Sequence, residues 1–303
     1  MSESRRGLLY GVAAYLMWGF FPLYWALLDA TGALELLAAR VTFSLLVMAL
    51  LLAVLRRVAH LRTALRDPRR VALLSVAAVL ISVNWFTFIW GVNNGRVIEV
   101  SLGYFITPLV SVLLGVVVLG ERLRRLQWVA VGIATLAVVV LTVDYGRVPW
   151  VAVTLASTFG LYGLVKKTAA VGAVESLVYE TAVVVPVALG FLVWIGVAGT
   201  ASYLDLGPGG LLLLASSGVV TALPLICFGA AAVRVSLTTI GLLQYLGPTI
   251  HFVLGLTVFD EALPTTRLVG FCLVWSALAV FTVEAWRHRR RQLRLAALAS
   301  SGA

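Results

Sequence analysis

Long apolar segments alternate with short polar or glycine-containing stretches along almost the whole chain, and ten such segments are present. Each is about 20 residues long, the length of helix that crosses the hydrocarbon core of a bilayer. A segment surrounded by lipid must satisfy its own backbone hydrogen bonds, and none alternates like a barrel strand, so each is predicted to be a helix. The predicted spans are Gly7–Leu28, Glu35–Leu55, Val71–Asn93, Ile98–Leu119, Leu126–Val143, Val148–Val165, Glu175–Val197, Gly210–Val233, Leu237–Phe259 and Thr265–Trp286.

Composition restricts the class of protein further. Of 303 residues, 61% are hydrophobic and 12% are charged, whereas a soluble domain carries about 25% charged residues. These values exclude an ordinary soluble enzyme, a disordered protein and a secreted disulfide scaffold. The two cysteines lie inside apolar runs and give no disulfide framework or metal spacing. The first span has no small-residue cleavage site after it, so we expect it to be retained.

The basic residues indicate how the spans are oriented. Of the 23 lysines and arginines, Arg96, Arg147 and Arg267 lie on one side of the predicted spans, and Arg40 lies inside a span. The other 19 lie at the amino terminus, in alternate loops and in the tail. This bias predicts that both termini are cytoplasmic. It also accounts for the net charge of +10 without nucleic-acid binding, which we do not expect.

The sequence repeats itself at an offset of 140 residues. Leucine and valine matches often arise by chance in apolar sequence. The evidence for a repeat therefore rests on the matched proline, glycine and glutamate residues. Because each half holds five spans, the second half would enter the membrane from the opposite face, as in secondary transporters. We therefore predict ten transmembrane helices in a five-plus-five inverted repeat, with repeats at 1–143 and 144–286 and a basic cytoplasmic tail at 287–303. The diagnostic pairs are Pro108 with Pro248, Gly115 with Gly255, and Glu121 with Glu261.

Large polar and aromatic side chains inside the spans are candidates to line a transport path. Small residues such as Gly115 and Gly255 are explained by close helix packing, but Tyr104 and Gln244 are too large for that role. A cavity with aromatic walls and a few polar anchors would suit an amphipathic substrate. Pro108 and Pro248 each remove a backbone hydrogen bond and are candidate hinges. The predicted substrate-binding residues are Tyr15, Trp18, Arg40, Asn84, Trp85, Tyr104, Tyr162, Gln244 and Tyr245.

Two of the charged residues inside predicted spans matter most, because a charge there costs roughly 2.5–3.5 kcal/mol on insertion scales. Arg40 is predicted to face a cavity and an anionic substrate group, to reach the headgroups, or to pair with Glu35 or Glu99. Glu180 is a candidate proton carrier, with a structural pair to Lys166 or Lys167 as the equal alternative. Glu99 is the second candidate for proton coupling. Proton antiport and facilitated diffusion therefore both stay open.

Motifs for catalysis are missing from the sequence. It has no G-x-S-x-G, no H-E-x-x-H and no phosphate-binding G-x-x-x-x-G-K-[ST]. We therefore predict no enzyme activity, no cofactor and no metal.

Several longer motifs resemble the RarD proteins of the EamA group, in the drug/metabolite transporter superfamily. They lie at 13–19, 84–94, 99–110, 119–128, 163–167 and 244–249. The resemblance implies a ten-helix permease of the bacterial inner membrane with a five-plus-five inverted repeat. His251 departs from the family pattern, where an apolar residue is usual. Residues that fit the pattern are Tyr15, Trp18, Asn84, Trp85, Asn94, Glu99, Tyr104, Glu180, Gln244 and Tyr245.

The sequence as a whole favours a secondary transporter that exports small amphipathic metabolites or drugs by alternating access. Its expected partners are a small-molecule substrate and the lipid bilayer, and homodimerisation is kept as a hypothesis. The alternative is a membrane sensor or scaffold with the same fold and no transport activity.

Overall fold

The computed structural model describes residues 3–28, 30–94, 96–145, 149–258, 265, 268–270, 272–273, 275–284 and 287. Within these residues the chain is helical and contains no strand, which confirms the predicted all-α class. Twelve α-helices are labelled in chain order, and a 3₁₀ turn lies at Ser202–Leu204. The helices are α1 Glu3–Gly19, α2 Phe21–Ala26, α3 Ala33–Val54, α4 Val58–Leu65, α5 Pro68–Asn93, α6 Val97–Val117, α7 Arg125–Tyr145, α8 Trp150–Ala169, α9 Ala173–Val197, α10 Pro208–Ala232, α11 Leu237–Leu243 and α12 Leu246–Thr257.

Six helical segments of the described chain are long and apolar enough to cross a membrane. Helices α6 and α7 contain shorter apolar stretches, at Leu102–Val117 and Arg125–Val140. The tenth predicted span lies partly outside the described residues, although 275–284 is helical. The six segments are Glu3–Ala26, Ala33–Val54, Pro68–Gly91, Ala173–Val197, Pro208–Ala232 and Leu237–Thr257.

Two predicted spans are each divided into two helices. The first span breaks at Phe20, between α1 and α2, and Pro22 then occupies the first turn of α2. The ninth breaks at Gln244 and Tyr245, and Pro248 lies in the first turn of α12. Proline lacks a backbone N–H, so it is tolerated in the first turn, where that donor has no partner within the helix. Pro108, by contrast, lies inside the continuous helix α6.

A carboxylate from the first half of the chain holds the amino-terminal end of α11. Glu121 accepts hydrogen bonds from the backbone N–H groups of Leu237, at 2.7 Å, and Thr238, at 3.0 Å. The Thr238 hydroxyl donates a third bond to the same carboxylate at 2.7 Å. These contacts satisfy amide groups that have no partner within the helix and favour a negative charge at its positive end.

We expect Glu121→Ala to lower the free energy of unfolding by about 1–2 kcal/mol, the usual effect of losing a helix cap. Thermal unfolding in detergent micelles measures this loss. Glu3→Ala is the matched control, because Glu3 is also a carboxylate with arginine partners but is mostly exposed, where ion pairs contribute about 0–1 kcal/mol. Equal melting temperatures for the two variants would contradict the capping role.

Candidate functional site

A cavity of about 260 Å³ lies where both halves of the chain meet. This volume is close to the lower end of small-molecule pockets, roughly 300 Å³. Its walls come from α1, α2, α3, α5 and α6 of the first half and from α8, α10 and α12 of the second. The predicted residues that line it are Tyr15, Trp18, Arg40, Asn84, Trp85, Tyr104, Gln244 and Pro248.

Aromatic rings form much of the wall. Trp18 packs against Tyr15, with ring centroids 5.2 Å apart, and edge-on against Phe159 at 5.8 Å. Tyr104 lies beside Phe88 and lines the cavity, and 40% of its surface is exposed. Such rings can bury apolar surface of a ligand and orient its polar edges.

Asn84 joins the cavity wall to its support. Its side-chain amide donates to the Leu155 carbonyl at 2.9 Å and to the Thr158 hydroxyl at 3.0 Å. Both partners belong to α8, so the half-buried amide ties α5 to α8. An amide in an apolar helix needs a hydrogen-bond partner, either from another helix or from a ligand, and here two groups of α8 provide it.

The polar faces of α6 and of the α11–α12 segment meet each other. Tyr104 lies edge-on to His251, with ring centroids 6.2 Å apart, and the Ser111 hydroxyl donates to Gln244 Oε1 at 3.3 Å. Gly241 lies against the backbone carbonyl of Pro108, where an added Cβ would come within 2.7 Å of the oxygen. The small residue therefore permits the close crossing that places Gln244 at the cavity.

Sequence reasoning gave less weight to several lining residues. Helix α2 continues the aromatic face of α1 by adding Phe21 and Trp25, at the same steps of three and four that relate Tyr15, Trp18 and Pro22. That continued periodicity was the available signal. His251, which departs from the family pattern, lines the cavity while its Nε2 donates to the Trp18 carbonyl at 3.1 Å. The other unpredicted lining residues are Ile81, Phe88, Gly103, Thr107, Leu155, Phe159, Thr221, Leu225 and Gly247.

Arg40 is the one arginine among the described residues that line the cavity, and these include no lysine, aspartate or glutamate. Its guanidinium carbon lies 4.8 Å from the ring centroid of Trp85 and 5.6 Å from that of Trp25. Across the described part of the chain, no carboxylate lies within 4.0 Å of it, and its Nε atom is buried without a hydrogen-bond partner.

The predicted pairing of Arg40 with Glu35 or Glu99 is wrong. The Glu35 carboxylate accepts from the backbone N–H groups of Ser202, at 3.0 Å, and Tyr203, at 2.6 Å. Glu99 binds the Arg96 guanidinium at 2.9 Å and the Val151 backbone N–H at 3.1 Å. Both carboxylates hold loops and helix starts instead of the cavity arginine.

Glu180 lies in a buried ionic network beyond the cavity wall. Its Oε1 atom accepts from Lys166 Nζ at 2.7 Å and from the Ser176 hydroxyl at 2.5 Å. Its Oε2 atom accepts from the Tyr162 hydroxyl at 2.8 Å. The structural pair that was held open is therefore present, and its partner is Lys166. A small second pocket of about 10 Å³ touches Glu180, and it shares Ile81, Trp85 and Leu225 with the lining of the cavity.

Two predicted substrate-binding tyrosines lie outside the cavity lining. Tyr162 is fully buried in the Glu180 network and stacks on Phe228 with ring centroids 5.8 Å apart. Tyr245 is also buried, and its hydroxyl donates to the Phe105 carbonyl at 3.3 Å. Their hydroxyl groups are therefore bonded to protein partners.

Comparison with known proteins gives the class of this fold. The EamA-like transporter family matches residues 5–143. "Protein RarD" of Streptomyces exfoliatus is 53% identical over 96% of this chain and 92% of its own length. An "Uncharacterized transporter" of Pseudomonas aeruginosa is 42% identical over 96% of this chain and 97% of its own length. A solved crystal structure matches 93% of this chain and 98% of its own with a TM-score of 0.70 at 19% identity, which shows the fold alone.

The apolar helices and the named relatives together define a multi-pass membrane transporter of the bacterial inner membrane. The chain belongs to the EamA-like transporter family, and within it to the RarD group.

Proposed function

We propose that this chain is a secondary transporter that exports small amphipathic molecules by alternating access of the central cavity. The observation that carries the proposal is the aromatic cavity itself, which draws its walls from both halves of the chain. In a transporter built from two repeats, rocking one half against the other exposes such a site to each side of the membrane in turn. Cargo contacts would come from Tyr15, Trp18, Arg40, Asn84, Trp85, Tyr104 and Gln244, and Pro108 and Pro248 would serve as hinges.

Helix starts support the proposed ten-helix inverted repeat, with halves at 1–143 and 144–286. Helices α3 and α9 begin 140 residues apart, as do α5 and α10, and also α6 and α11. The residues that precede the first pair, Gly32 and Gly172, have nearly identical backbone angles, with φ of −56° and −55° and ψ of 140° and 144°. An offset that recurs in the starts of three helix pairs is expected from an internal duplication.

Contacts between the halves support a pseudo-two-fold relation as well. Adding 140 to Tyr104 gives Gln244, and subtracting 140 from His251 gives Ser111. The contact of Tyr104 with His251 therefore has its mate in the contact of Gln244 with Ser111. Tyr245 touches its own mate, Phe105, as residues on a two-fold axis do. The basic alternate loops support cytoplasmic termini in this arrangement.

Counterflow in proteoliposomes tests the proposal. Purified protein is supplied with pooled labelled aromatic metabolites, amino acids and chloramphenicol, and we expect at least one pool to exchange. Tyr104→Ala should reduce that exchange at least tenfold, because it removes a large ring from the cavity wall. Phe86→Ala is the matched control, since Phe86 is an exposed aromatic residue on α5 that does not line the cavity.

If Tyr104→Ala and Phe86→Ala reduce exchange equally, the result would contradict the proposed path. Ligand binding by folded protein with no exchange in any pool would favour the sensor or scaffold. Overproducing cells should accumulate less of the exchanged compound, because the proposed direction is export. Greater accumulation of the compound would indicate import instead of export.

A further inference from the structure

We infer that the cargo is a small organic carboxylate with an apolar or aromatic body and no ammonium group; this inference rests on the proposed function and names its substrate class. Arg40 provides the first ground. Its guanidinium faces two indole rings and, among the described residues, has no carboxylate partner. A partly buried charge without a counter-ion is costly unless something neutralises it, and a carboxylate matches the planar donors of arginine.

Unpartnered donors gather at the same cavity. Buried side-chain atoms that lack a hydrogen-bond partner include four from lining residues: Arg40 Nε, Tyr15 Oη, Thr221 Oγ1 and Gln244 Nε2. The Tyr15 hydroxyl lies beside Gln244, yet neither that hydroxyl nor Gln244 Nε2 makes a hydrogen bond of normal geometry. All four atoms can donate a hydrogen bond, and the arginine and amide nitrogens can only donate. A ligand rich in acceptor oxygens would satisfy them if these lining side chains turn toward the cavity when it binds.

The repeat offset explains why space is open beside Arg40. Counting 140 residues onward from Arg40 leads to Glu180, whose charge is neutralised by Lys166 and whose second oxygen is held by Tyr162. The positions equivalent to Lys166 and Tyr162 are Ala26 and Pro22. Ala26 and Pro22 are smaller than Lys166 and Tyr162, which surround the Glu180 carboxylate in the second half. The corresponding space beside Arg40 is therefore open, and Pro22 lines the cavity. The counter-ion that the first half lacks is supplied by cargo.

An ammonium group on the cargo has no complementary site in this lining. The described lining residues include no aspartate or glutamate, and the faces of Trp25 and Trp85 already hold the Arg40 cation. A second cation would approach Arg40 in a setting of reduced dielectric, where like charges repel strongly. The site is therefore selective for carboxylates over zwitterionic amino acids of the same size.

Calorimetric titration of the full chain in nanodiscs at pH 7 tests this selectivity. The probes are 3-phenyllactate, its reduced analogue 3-phenylpropane-1,2-diol, and phenylalanine, which share one aromatic skeleton. Because a carboxylate is ionised at this pH, we expect phenyllactate to bind about 10- to 100-fold more tightly than either analogue, the usual range for a hydrogen bond to a charged group. Arg40→Gln should remove the preference, and Arg40→Lys should retain part of it.

The control variant is Arg96→Gln. Arg96 also lies over two indole rings, those of Trp90 and Trp150, but it pairs with Glu99 and does not line the cavity. It should leave the phenyllactate preference intact. Apo Arg40→Gln should melt no lower than the parent protein, because the substitution removes an uncompensated charge.

The inference is overturned if phenyllactate binds no more tightly than the diol and phenylalanine, or if Arg40→Gln leaves its preference unchanged. Failure of the proposed function looks different. Selective phenyllactate binding without counterflow would reject transport and support the carboxylate site. Counterflow of phenylalanine or the diol in preference to phenyllactate would support transport and reject the carboxylate class.

Discussion

Replacing Gly218 with valine is expected to destabilise the protein by at least about 3 kcal/mol, beyond the usual 1–3 kcal/mol of overpacking. Helices α3 and α10 touch backbone to backbone at this glycine. An added Cβ would lie 2.6 Å from the Phe43 carbonyl oxygen and closer still to its carbonyl carbon. The Ser44 hydroxyl donates to the Gly218 carbonyl at 3.2 Å. Since the obstructing atoms are backbone, no change of rotamer can relieve the clash.

The melting temperature and the folded yield in detergent measure this effect. Gly190→Ala is the matched control, because Gly190 lies in a helix and an added Cβ there meets no atom within 4 Å. That substitution should stabilise the protein by roughly 0.5–1 kcal/mol, since alanine is the better helix former. If the Gly218→Val protein has the same melting temperature as the parent protein, α3 and α10 do not approach as closely as described.

Glu180→Ala is expected to destabilise the protein by about 3–5 kcal/mol, because it leaves the Lys166 ammonium buried and unpaired. Lys166 and Glu180 are both almost fully buried, and their nitrogen and oxygen lie 2.7 Å apart. The Tyr162 and Ser176 hydroxyls would lose their acceptor at the same time. Melting of the apo protein in nanodiscs, with no substrate present, measures the loss.

A double variant separates a structural pair from proton coupling. Lys166→Met combined with Glu180→Gln should recover much of the stability that Glu180→Ala loses, because it leaves no buried charge and keeps an acceptor for Tyr162. If the pair is structural, the double variant retains pH-dependent exchange in proteoliposomes. Exchange that continues while pH dependence disappears would instead support Glu180 as the proton carrier.

The cavity was predictable from side chains that are out of place in an apolar helix. Tyr104 and Gln244 are too large for close helix packing, Asn84 is a polar amide in an apolar helix and Arg40 is charged, so each is expected to need a cavity or a partner. The structure brings these four residues to one cavity with Trp18, Trp85 and Tyr15. Tyr162 and Tyr245 carry the same signal in sequence, yet their hydroxyls bind Glu180 and Phe105. A residue type shows that a polar partner is needed and does not say whether the partner is protein or cargo.

The sequence alone determined the membrane class, the helical structure of the chain and the position of most helices. Lipid dictates these features, because about 20 apolar residues without internal charge have one stable conformation in a bilayer. Only the tertiary structure decided which charges are paired. Arg40 and Glu180 each occupy the eighth position of their helix, α3 and α9, but Glu180 meets Lys166 while Arg40 lines the cavity beside two indole rings. Pairing depends on which side chains fill the volume opposite each charge, and that volume is set by neighbouring helices that are distant in sequence.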